Sequence, residues 1–262
     1  MSGKYAKKKN NRGGMVALIL ILAALAVAVT VALMNRDGGE VSPDGTDPVS
    51  TTAPTEAQQQ TDSTEPTETP TELPKPEGID LGKGLIITDI GGYSGAYVED
   101  GSNEEVSNVL MIEVYNYGVS PVQYAEISLN AGDQTANFAM TTLPVGESIV
   151  ILESSRMAFD KNAAYAQAEA RNVADFNTPM SLCQDKIQIQ ALDGAMNIIN
   201  VSGKDIDGEV AVYYKNVIDG QLFGGITFRV RLTDGMKADE VRQILASHFS
   251  ASDSRVMFVT CG

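Results

Sequence analysis

Three hydropathy regimes follow one another along the chain. Met15 to Met34 is an uninterrupted apolar run without charge, Pro or Gly. Residues 36–78 offer almost no apolar side chain. From Ile79 onward, short β-branched and aromatic runs alternate with clusters of Gly, Asn, Asp and Ser, the pattern of an all-β sandwich or barrel. Strands are expected near 84–90, 108–116, 122–130, 135–141 and 148–154. In the second of these, Leu110, Ile112 and Val114 fall on one face and Glu113 and Tyr115 on the other, as the period of two requires.

An internal repeat organises the rest. L-M-I-E-V-Y-N (Leu110–Asn116) can be set above V-A-V-Y-Y-K-N (Val210–Asn216), so that Ile112 matches Val212 and Asn116 matches Asn216. A turn and a second strand follow in each, Ala125–Gly132 and Phe228–Gly235. Then L-P-V-G-E (Leu143–Glu147) stands against M-K-A-D-E (Met236–Glu240). The repeat argues for two tandem sandwiches, with each Asn bonding turn backbone at a strand end. It also bears on Ala163–Val173. This stretch has helical composition, but it alternates and occupies the place of the closing strand Ser254–Thr260. A strand is expected, with a short helix as the alternative. Lys186–Leu192 opens the second unit.

The apolar run is long enough for a hydrocarbon core of about 30 Å, longer than the apolar core of a cleaved signal peptide. Five bases and no acid precede it (Lys4, Lys7, Lys8, Lys9, Arg12). The positive-inside rule then places the N-terminus in the cytoplasm and all that follows outside. The expected layout is a basic tail (1–14), a transmembrane helix (15–34), a disordered Pro/Thr/Glu-rich linker (35–78) and two β-sandwich modules (79–181 and 182–262). The formal net charge of −15 argues against nucleic acid as a partner. Membrane lipid is the expected partner of the N-terminal helix.

An apolar strand ending in V-x-N, a hairpin, a second amphipathic strand and L-x-x-G-E together resemble the FxLYD-type and related Ig-like sandwich modules on the surface of Firmicutes. Leu110–Asn116 and Leu143–Glu147 carry the likeness. The phrase Y-Y-K-N…G-G-I-T-F-R is similar to membrane-anchored clostridial proteins. The resemblance implies an extracytoplasmic Ig-like module, two of them in tandem when taken with the repeat, and brings no catalytic residue with it.

Candidate chemistry is sparse. Gly224-Gly225 interrupts a strand, either as a hairpin or bulge feature or as backbone open to a ligand. Tyr213, Lys215, Asp219 and Arg229 lie near it as a candidate binding surface. Cys183 and Cys261 flank the second unit and form a candidate disulfide, with two unpaired thiols as the alternative. His248 is the only histidine, too little for a Cys-His or Ser-His site or for zinc. Glu99–Glu105 and Asp205–Glu209 could hold calcium or be solvated turns. No cofactor, metal or catalytic residue is therefore expected. The reading is a non-catalytic envelope protein that binds a protein or a wall polymer. Its alternatives are a structural spacer and, third, an envelope enzyme.

Overall fold

The computed structural model describes residues 73–262. The expected membrane helix, the basic tail and the linker up to residue 72 lie outside them. Among the described residues no helix is long and apolar enough to cross a membrane. The chain forms thirteen strands: β1 (Ile79–Gly82), β2 (Leu85–Tyr97), β3 (Glu104–Asn116), β4 (Val122–Ala131), β5 (Gln134–Leu143), β6 (Ser148–Leu152), β7 (Tyr165–Asp175), β8 (Ile187–Leu192), β9 (Ala195–Asn200), β10 (Val210–Ile218), β11 (Gln221–Leu232), β12 (Val241–Leu245) and β13 (Ser254–Cys261).

These strands make three open sheets of a β-sandwich-like fold. A seven-stranded sheet runs β1-β2-β3-β6-β11-β10-β13, and two three-stranded sheets run β5-β4-β7 and β12-β9-β8. Alternation dictates which faces are buried. Leu110, Ile112 and Val114 of β3 meet Ala125, Ile127 and Leu129 of β4 and Phe138 and Met140 of β5 in one core. Met196 and Ile198 of β9 meet Val210, Val212 and Tyr214 of β10 in another. Ala163–Val173 lies mostly in β7. There Ala168, Ala170 and Val173 pack on the first core while Glu169 and Arg171 face water, so the helical composition gives way to a small-residue edge strand.

The repeat exists in the structure, but one strand out of phase with its sequence alignment. β2, β3 and β6 are hydrogen-bonded in the order in which β8, β9 and β12 are. Likewise β5-β4-β7 matches β11-β10-β13. The counterpart of β3 is therefore β9 and not β10. The asparagines make this plain. Asn116 Nδ2 donates to Ser120 O (2.9 Å) and Leu143 O (3.2 Å), and its Oδ1 accepts from Gly118 N (3.0 Å). Asn200 Nδ2 donates to Lys204 O (2.7 Å) and Lys237 O (2.8 Å), and its Oδ1 accepts from Ser202 N (3.0 Å). Their amides donate to Glu147 O and Glu240 O respectively, so the L-P-V-G-E and M-K-A-D-E turns do correspond. Asn216 makes no side-chain hydrogen bond within the described residues. Asn116→Ala and Asn200→Ala should each cost about 2 kcal/mol in chemical denaturation, because each strands buried turn groups. Asn216→Ala should stay within about 0.5 kcal/mol.

Leu73 N donates to Tyr117 O, and Lys75 pairs with Asp80, so residues 73–78 already lie on the β-structure.

Candidate functional site

One edge of the second half is built differently from its counterpart. In the first half β1 pairs with the outer edge of β2, with Ile79 opposite Ile87 and Asp80 opposite Ile86. Its Leu81 is buried in the first core. The short strand thereby covers the gap between the sheets. In the second half the segment before β8 takes another course. Val259 N of β13 donates to Ser181 O at 2.7 Å, which draws Ser181–Cys183 onto β13 and leaves the outer edge of β8 without a strand partner among the described residues.

The register shows what is left open. Leu85 stands opposite Asn116 and Ile87 opposite Val114. Ile187 stands opposite Asn200 and Ile189 opposite Ile198. Ile187, Gln188 and Ile189 thus take the places of Leu85, Ile86 and Ile87, the residues that β1 covers. All three line a groove of about 660 Å³, together with Leu182, Val201 and Phe249. Leu182 and Val201 are 40% and 42% exposed, large apolar side chains with one face in water. A mainly apolar, open groove bounded by an unpaired strand edge has the makings of a site for an extended chain: main-chain groups along the edge, pockets for alternate side chains. No known protein family, curated protein or solved structure matches this chain. The groove must therefore be read on its own geometry.

The candidate surface around Gly224-Gly225 resolves otherwise. The hairpin bend is Asp219-Gly220, both at positive φ, between Ile218 and Gln221. The glycine pair forms a bulge in β11: four residues between Phe223 and Phe228 oppose Lys215 alone. A side chain at Gly225 would place its Cβ 1.9 Å from Ala139 O, so glycine is required there by the approach of β5. The bulge wraps Lys215, which is fully buried. Lys215 Nζ donates to the carbonyls of Gly224 (3.0 Å), Gly225 (3.1 Å) and Ile226 (2.9 Å). Three acceptors match the three protons of an ammonium. The expectation of a ligand-facing Lys215 is corrected: the backbone that a ligand might have used is occupied from within.

Glu99 completes this cluster. Its carboxylate accepts from Leu152 N (2.8 Å) and Gly225 N (2.7 Å), one donor from each half. Burial pushes the Glu99 carboxyl up, against those two amide hydrogen bonds and the charge of Lys215, which pull it down. Burial likewise pushes Lys215 down to about 7, opposed by Glu99. The role is structural. The other candidates do not converge. Tyr213 stacks on Phe258 at 4.2 Å, beside its cross-strand neighbour Arg229, which is exposed, and Asp219 is exposed at the hairpin tip.

The remaining chemistry is internally engaged. Asp100 and Glu104 pair with Arg156, and Asp205 pairs with Lys237. Among the described residues no group of three His, Cys, Asp or Glu is placed to hold a metal ion. His248 stacks on Phe228 at 4.7 Å and Asn103 Nδ2 lies 3.2 Å from its Nδ1. Cys183 and Cys261 are brought together on the second core. The groove itself was missed in the sequence. A signal for it was present: Gln188 stands where the first half has Ile86, a polar residue at a position that a covering strand would have buried.

Proposed function

We propose that the chain is a non-catalytic binding protein of the cell envelope. It is anchored through residues 15–34 with its N-terminus inside, and displays two Ig-like sandwich modules outside. Its groove along β8 takes an extended segment of a partner protein with alternating apolar side chains. The observation that carries this reading is the contrast within the repeat. The position filled by I-D-L-G of β1 in the first half is an open apolar groove in the second. The basic cluster ahead of an unbroken apolar run supports the anchor.

A peptide with the sequence of β1, Glu77–Lys83, is the natural probe. It should bind the full chain saturably. Leu182→Asp and Val201→Asp, at exposed positions that leave the fold intact, should each weaken binding roughly tenfold or more by placing a carboxylate in the apolar wall. Binding unaffected by both changes would remove the groove from the account, and absence of binding would favour the spacer. The topology has its own test. Protease added to intact protoplasts should remove everything after residue 35 and leave a small membrane-bound fragment, whereas a protected β-region would overturn the anchor.

A further inference from the structure

We propose that Cys183 and Cys261 are joined as a disulfide that ties the entry of the second half to its closing strand. The inference is independent of the groove. It rests on the path of two segments. Val259 N donates to Ser181 O (2.7 Å), and Cys183 Sγ lies on Val259 O (3.3 Å). The chain at 181–183 therefore runs alongside β13. Cys261 lies two residues beyond Val259 and so shares its face of the strand. Both cysteines pack against the same core. Both residues are half-buried, shielded by the core on one side and reachable by a small reagent on the other. Burial, and next the neighbouring Cys183, push the Cys261 thiol up to about 11.

The chemistry is thiol–disulfide exchange with a small-molecule disulfide such as oxidised glutathione. One cysteine, as thiolate, attacks a glutathione sulfur and displaces a glutathione thiolate. The other then attacks the protein sulfur of this mixed disulfide and displaces the second glutathione. The protein thiols give up two protons and two electrons as their S–S bond forms, and the small disulfide takes them up as two thiols. The bridge closes nearly the whole second half, from before β8 to the end of β13. Leu182, in the groove wall, is anchored by its neighbour.

The test is oxidation of the full chain with oxidised glutathione, then denaturation in an alkylating reagent and mass spectrometry of the digest. The expected product carries no alkyl group on either cysteine and yields a linked Cys183–Cys261 peptide. Its melting temperature should exceed that of the reduced chain by roughly 10 °C, the effect expected of a cross-link over a loop this long in a domain of this size. Cys183→Ser/Cys261→Ser should melt with the reduced chain and show no change on oxidation. In Cys261→Ser, Cys183 should retain glutathione as a lasting mixed disulfide. Alkylation of both cysteines after oxidation would overturn the proposal, as would a persistent glutathione adduct on the unaltered chain.

Discussion

Glu99→Ala is expected to destabilise the fold by about 3–5 kcal/mol at neutral pH, read as a lowered midpoint in urea. The residue lies in the connection after β2 of the first half. It accepts amide hydrogen bonds from Leu152 of the first half and Gly225 of the second. It also supplies the negative charge that faces the buried ammonium of Lys215. Truncation leaves two buried amide donors without a partner and removes the charge that favours the protonated form of Lys215, each a costly loss in a buried setting. Asp100→Ala, one residue on, removes a solvent-exposed partner of Arg156 and the exposed acceptor of Ser102 N and should cost only about 1 kcal/mol. The pH dependence follows with its sign. The folded Lys215 loses its proton near 7, whereas an unfolded lysine keeps it to 10.5. Between those values the unfolded chain binds more protons, so this group's contribution makes stability rise with pH. Glu99, raised in the fold, acts oppositely: the stability it contributes is present below the unfolded carboxyl value and lost as pH rises through its folded value. Lys215→Met should abolish the rise above pH 7.

Thermal unfolding of the β-region is expected to show one transition, displaced by mutation in either half. Ile112 and Val212 are both fully buried, one in each core. Ile112→Ala should cost about 3–4 kcal/mol and Val212→Ala about 2–3 kcal/mol. Two sandwiches joined like beads would each lose only their own mutation's share. Here the halves share a sheet. β6 and β11 pair in parallel through Ile149 and Leu222 and through Val150 and Phe223. Leu222 and Met257 of the second half are buried in the first core. Thr141 Oγ1 donates to Gly225 O at 2.8 Å, and Arg255 pairs with Glu147. All described residues belong to one compact unit. Calorimetry of the full chain with each substitution made singly should therefore show the same single transition lowered in both variants. Two transitions, each lowered by one substitution, would mean that the shared sheet does not couple the halves.

Much of this architecture could be read from the chain because alternation is a local signal. Leu110, Ile112 and Val114 point inward as their spacing demands, and Ile112 and Val212 are core residues as expected. The strands that escaped were short or had a blurred period. Ala195–Asn200 is a six-residue strand whose A-M-N-I-I-N shows little alternation. Without it the sequence repeat falls one strand out of phase, and the asparagine cap falls on Asn216 instead of Asn200. V-x-N at 114–116 and I-I-N at 198–200 end alike, but V-A-V-Y-Y-K-N is the longer match to Leu110–Asn116. Lys215 was misjudged for a different reason. A lysine in a hairpin strand reads as exposed, and only the pairing of β10 with a bulged β11 encloses it. The groove was hidden because it is an absence: a strand present in one half, with no counterpart in the other among the described residues. Absent pairing is a tertiary fact, and the nearest trace of it in the chain is the single polar residue Gln188.

The claim that the β8 edge accepts an extended segment is tested most directly by residue-resolved amide hydrogen exchange on the full chain, with and without the Glu77–Lys83 peptide. A strand added at that edge must draw hydrogen bonds from main-chain groups that are otherwise open to water. Slower exchange within Gln188–Ala191, with the β10 amides unchanged, is the predicted result. Bound peptide that slows exchange elsewhere and leaves the β8 edge unprotected would contradict it.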